Sequence, residues 1–188
     1  MIPTGEIINV DNTLFDFRNG KLLDKNTSQP LELDNNFILN NKNSLEEPVA
    51  ILKSPDNLLT LKLWTDQPAL QVYTAGKLNL PPQIKGLNNQ VYPPFGGICL
   101  EDQQFPDAVN HPKVFPSIII SPTNPYKHLL LGHMLIFIID IILIGQNIIL
   151  IIHSIIINLF LFMAVTLMPL IKATKIHQVI IMVGIMDL

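Results

Sequence analysis

The chain has 188 residues, 48% of them hydrophobic, and a formal charge of −3 at pH 7. That length can build one domain of ordinary size with a real core, and the weakly negative balance excludes a basic nucleic-acid-binding surface. The one cysteine, Cys99, excludes a disulfide framework and a cysteine-rich zinc site.

The averages join two unlike parts. Residues 1–128 hold ten of the twelve Lys and Arg, thirteen of the fifteen Asp and Glu, and fourteen of the fifteen Pro, whereas isoleucine takes 18 of the 60 positions from 129 to 188. A boundary is therefore expected near His128.

In the first part, prolines and glycines cut the chain into short pieces. The start, MIPTGEIINVDN, has neither the basic region nor the apolar run of a signal peptide. PTGEI reads as a loop running into a strand, EIINV, so the chain is expected to begin inside a domain. Asp16-Phe17-Arg18 reads as a turn after a strand, with a structural role, and Arg18-Asn19-Gly20-Lys21 carries a turn signal. FILN has strand composition. LLTLKLWTD alternates Leu59, Leu61 and Leu63 against Thr60, Lys62 and Trp64, which predicts a half-buried strand. ALQVYTA repeats the pattern, with Leu70, Val72 and Thr74 on one side and Gln71 and Tyr73 on the other. Ser54-Pro55-Asp56-Asn57 and Pro93-Pro94-Phe95-Gly96 are further turn signals, residues 77–96 form a long loop by composition, and GGICLED is one more short apolar run. No window is amphipathic at helical period. The pattern is that of an all-β sandwich or barrel.

No glycine-rich phosphate loop and no paired-histidine metal spacing occurs, so the candidates are polar groups set into apolar strands. Glu101 follows Cys99-Leu100 directly. It is either a strand-end charge facing water, the usual case for an acid, or a general base delivered by the strand. Gln71 is either a solvent-facing residue or an amide that donates to one sugar hydroxyl and accepts from another. Asp34 is either a turn acid ahead of a strand or a carboxylate accepting from neighbouring hydroxyls. His111, between Asn110 and Pro112, reads as structural. His128, His133, His153 and His177 lie at or beyond the boundary with no acid–base partner near them in sequence.

Four stretches together resemble the C-terminal part of the aldose 1-epimerases, the galactose mutarotase family. PTGEIINVDNTLFDFR is similar to the family's Thr-Gly-Glu…Asp-Phe-Arg segment, and LDNNFIL to its Asp-His-Asn-Phe segment. LWTDQPALQVYTAG is similar to its Pro-x-x-Gln-x-Tyr-Thr strand. GGICLEDQQFPDAVNHPKVFPS is similar to its Cys-Leu-Glu-x-Gln…Pro-Asp-Ala-x-Asn segment. The resemblance covers residues 2–128 and implies part of a β-supersandwich. It implies interconversion of the α and β anomers of free aldoses such as galactose and glucose, in the cytoplasm, with no metal or organic cofactor. Carried over by position, Glu101 is the catalytic base, and Asp34 and Gln71 hold sugar hydroxyls. Asp102 stands where relatives usually carry a small polar residue such as threonine. A neighbouring carboxylate tends to raise a base's pKa, but adjacent strand residues point to opposite faces.

The resemblance also marks two departures. The family's general-acid histidine, a second histidine and an arginine lie upstream of the matched segment, which implies an impaired catalyst. After SPTNPYKH the family needs a final strand that closes its sheet, and here the sequence turns into LLLGHMLIF. Residues 134–152 and 155–171 have the length and apolarity of membrane helices, although Asp140 is costly in the first, and an Ile-rich segment outside lipid prefers strands. The fold expected is thus an all-β partial supersandwich over 1–128, followed by a hydrophobic tail over 129–188 that could be helical and transmembrane. The alternative is a non-enzymatic remnant, membrane-attached or assembled from a partial gene with an AT-rich, non-coding-like end, that binds sugar weakly or not at all.

Overall fold

The computed structural model describes residues 3–23, 30–40, 45–144, 147–159 and 180–183. Within them lie the strands β1 (Lys21–Leu22), β2 (Asp34–Ile38), β3 (Ala50–Lys53), β4 (Leu59–Thr65), β5 (Ala69–Tyr73), β6 (Cys99–Gln103), β7 (Leu130–Ile144), β8 (Asn147–Leu159) and β9 (Ile180–Val183). They form two sheets, one in the order β1-β9-β3-β4-β7-β8 and one in the order β2-β5-β6, and every pairing is antiparallel. No α-helix occurs among the described residues.

Alternation sets the faces. Leu61 and Leu63 of β4, Leu70 and Val72 of β5, Phe37 of β2 and Leu100 of β6 all turn inward and meet in one hydrophobic cluster. Ala50 and Leu52 of β3 and Met134 of β7 join it, so residues of both sheets share the same core. Phe17 is fully buried in this cluster and packs edge-on to Phe37 at 5.7 Å. Beside it Arg18 grips both oxygens of Asp16, Nε to Oδ1 and Nη2 to Oδ2, each at 2.9 Å, and reaches Asp11 as well. The hydrogen bonds from Arg18 hold the Asp16 carboxyl down at about 2. Asp16-Phe17-Arg18 is a structural anchor, as its sequence suggests.

The three turn signals are realised. Gly20 N donates to Phe17 O at 3.0 Å, Asn57 N to Ser54 O at 3.0 Å, and Gly96 N to Pro93 O at 2.9 Å. Gly20 and Asn57 carry φ of 73° and 58°, values that glycine and asparagine tolerate best. Residues 77–96 contain no strand, only a short turn of 3-10 helix at Leu87–Asn89.

Two expectations are corrected. EIINV, residues 6–10, is in no strand: residues 6–9 are exposed and have no ladder partner among the described residues, while Val10 packs against the core. The tail is not helical where it is described. Residues 134–144, 147–152 and 155–159 lie in β7 and β8, and the remainder of the two expected spans, 145–146 and 160–171, is outside the described residues. No helix among the described residues is long and apolar enough to cross a membrane. The physical reason is the one that isoleucine carries with it: branching at Cβ stiffens χ1 and suits a pleated surface better than a helix. The first residues past the expected boundary also complete the sheet. Leu130 pairs with Thr65 and Ile136 with Leu59, so β7 runs along the whole of β4.

Candidate active site

Asp34, Gln71 and Glu101 come from three strands that are neighbours in space. In the β2-β5-β6 sheet, Asn36 lies opposite Gln71 and Gln71 opposite Glu101, while Asp34 lies opposite Tyr73 and Tyr73 opposite Cys99. Residues directly opposite one another share a face, so Asp34, Asn36, Gln71, Tyr73, Cys99 and Glu101 form one surface. The apolar partners in the alternation, Phe37, Leu70, Val72 and Leu100, are buried behind it. Asp34 is exposed, and Gln71 and Glu101 are half-exposed, so the surface is open. Gln71 Nε2 donates to Asp34 Oδ1 at 2.8 Å. That leaves Gln71 one N–H and its carbonyl oxygen, and Asp34 several lone pairs, for hydroxyl groups. The central position of Gln71 keeps Asp34 and Glu101 on adjoining strands to either side, with strand spacings of about 4.8 Å.

The sequence profile of the family described as aldose 1-epimerase matches residues 1–131. The chain belongs to the aldose 1-epimerase family. It is 39% identical over 132 residues to the galactose mutarotase of Homo sapiens, a match that covers 68% of this chain and 37% of that protein. It is 37% identical over 131 residues to the galactose mutarotase of Bos taurus, with the same two shares of 68% and 37%. It is 38% identical over 117 residues to the aldose 1-epimerase of Haemophilus influenzae, covering 60% of this chain and 33% of that one. The chain thus spans about a third of the length of these curated relatives.

Against this aldose 1-epimerase segment, Asp102 behaves as strand alternation requires. Its side chain points to the opposite face from Glu101 and is only 6% exposed. Thr65 Oγ1 donates to Asp102 Oδ2, and His128 Nε2 lies 2.5 Å from the same oxygen. Tyr126 Oη lies 2.8 Å from His128 Nδ1. A ring with its proton on Nε2 donates to the Asp102 carboxylate and leaves Nδ1 to accept from Tyr126 O–H. Asp102 therefore ties β6 to β4 and to the segment before β7. In the sequence His128 has no acid near it, because Asp102 lies 26 positions away and only the fold joins them.

The other singled-out groups have quieter roles. His111 Nε2 lies 3.5 Å from Asp107 Oδ2, and its ring stands edge-on to Phe115 at 6.0 Å. Phe105 stacks on Phe115 at 4.7 Å, and Asn110 Nδ2 donates to Asp107. The stretch after Glu101 is thus a fixed turn, and His111 belongs to it. His133 of β7 lies opposite Lys62 in the larger sheet. Cys99, two residues before Glu101 on the same face, has its thiol pushed up by burial first and by the Glu101 carboxylate second. Among the described residues, no three His, Cys, Asp or Glu side chains gather as a metal-binding group.

Proposed function

We propose that the chain handles free hexoses such as galactose and glucose as an aldose 1-epimerase does, with Glu101 as the base and Asp34 and Gln71 holding sugar hydroxyls. The observation that carries this reading is the single open face on which the Gln71–Asp34 hydrogen bond lies one strand from Glu101. In the proposed step, Glu101 takes the proton of the C1 hydroxyl and a proton is delivered to the ring oxygen. The bond between C1 and the ring oxygen breaks, giving the open-chain aldehyde. The carbonyl rotates about the C1–C2 bond, the ring closes on its other face, and the two protons are returned. The cytoplasm is the compartment we propose, on the family resemblance.

The step needs an acid at the ring oxygen. His111 is engaged by Asp107, and His128 lies behind the sheet on Asp102. His133 belongs to the larger sheet. Nothing among these three offers the proton that ring opening needs on the Glu101 side. A missing proton-transfer group costs about 10²–10⁴-fold in rate. These 188 residues alone are therefore proposed to convert α-D-galactose slowly at best, in polarimetry of the purified chain, with Glu101→Gln abolishing whatever exceeds the spontaneous rate. A rate equal to that of the human relative overturns the impairment. The same histidine placements favour the second reading, a face that binds sugar without turning it over; it wins if galactose binds and Glu101→Gln leaves the polarimetric rate unchanged.

A further inference from the structure

The geometry points to Asn36 as a further sugar-contacting residue, one that donates to a hydroxyl oxygen beside the hydroxyl held by Asp34. The assignment rests on the sugar-binding reading of the same face. Asn36 lies directly opposite Gln71, which lies directly opposite Glu101, so the three form one row across β2, β5 and β6. Asp34 is two residues before it on the same strand and the same face, about 7 Å away along the chain. The side-chain nitrogen Nδ2 of Asn36 is buried and has no hydrogen-bond partner among the described residues. A buried amide donor without a partner is unfavourable and uncommon in folded proteins, and one that persists calls for an occupant. His133 Nε2 is the other such atom among the described residues, but it belongs to the larger sheet.

The chemistry of the row is complementary. Asp34 can only accept, Asn36 offers two N–H groups, and Gln71 has one N–H and a carbonyl oxygen left after its bond to Asp34. A sugar hydroxyl donates through its hydrogen and accepts through its oxygen. A hydroxyl that gives its proton to Asp34 presents lone pairs to the hydroxyl next to it on the sugar, whose own oxygen then accepts from Asn36, and the bonds of such a chain strengthen one another. Asn36 as a whole is half-exposed, and the terminal torsion of asparagine is soft, so its amide can turn toward the face when a ligand arrives. Without Asn36, the row from Asp34 to Glu101 would offer a sugar two carboxylates that accept and one amide N–H, that of Gln71.

The test is a galactose titration of the full ¹⁵N-labelled chain, following the side-chain amide signals of Asn36 and Gln71, each identified by its loss in Asn36→Asp and Gln71→Ala. The expected result is that both signal pairs move along one saturation curve, and that Asn36→Ala weakens galactose binding roughly tenfold. If Gln71 moves and Asn36 stays, or if Asn36→Ala binds unchanged, the assignment of Asn36 is overturned while the sugar-binding face stands. If neither pair moves up to saturating sugar, the sugar-binding reading itself fails and Asn36 with it. Where Asn36→Ala folds poorly, the amide shifts of the unsubstituted chain, identified through Asn36→Asp and Gln71→Ala, decide the assignment.

Discussion

Glu101 and Cys99 leave β6 on the same side, two residues apart, and the Glu101 carboxylate acts on the thiol. Burial and the negative charge of Glu101 both favour the neutral thiol of Cys99. The thiolate is the reactive form. In Glu101→Gln the charge is removed and the burial is kept, so the thiol pKa falls part of the way back. Alkylation of Cys99 by iodoacetamide, followed by mass spectrometry across pH 7–10, should therefore run faster in Glu101→Gln at a given pH, with its profile moved to lower pH. Identical profiles would show that the two side chains do not share an environment. At this scale much was legible in the sequence. Alternation alone puts Glu101 and Asp102 on opposite faces, and the same period places Asn36 beside Asp34. What alternation lacks is the partner of each group: that Asp34 accepts from Gln71, 37 positions away, is a fact of strand order.

The strand β6 works on both faces at once. Its outer side offers Glu101, and its inner side holds Asp102 against Thr65 of β4 and His128 ahead of β7. A carboxylate this enclosed is stable only with its hydrogen-bond partners, and removing one side of such a cluster leaves the others unpaired. Asp102→Ala is expected to cost about 2–3 kcal/mol in urea unfolding. His128→Ala added to it should cost less than the two single changes summed, because the lost contact is the same one. Full additivity would show that the pair contributes nothing. Elements were legible unevenly. The strands β4, β5 and β6 follow from their alternation, and the turns from their Pro, Asn and Gly. EIINV has strand composition yet no ladder, because a strand is made by its neighbour as much as by itself. Where the tail is described, it is strand and not helix on the opposite ground: length and apolarity suit helix and strand alike, and β-branching decides for strand.

Across the whole molecule, β7 closes what the first 128 residues leave open. It pairs with β4 from Thr65–Leu130 to Leu59–Ile136 and brings Met134 into the common core. Ending the chain at residue 128 would bare the edge of β4 and a part of the cluster beneath it. The shortened chain should unfold at lower urea and, at equal concentration, scatter more light than the full chain. An unchanged unfolding midpoint would mean that β7 adds nothing to the sheet. The sequence by itself determined the strand-and-turn class, the inner and outer faces of each strand, and the kinship that singles out Asp34, Gln71 and Glu101. These depend on local period, turn chemistry and ordered motifs, which a linear chain displays. The tertiary structure alone decided which strands are neighbours. It put Asn36, Gln71 and Glu101 in one row, gave Asp102 and His128 to each other behind that row, and made the Ile-rich continuation a partner of β4. Pairing of this kind joins residues tens of positions apart, and it is set by the burial of a shared core, which no local stretch contains.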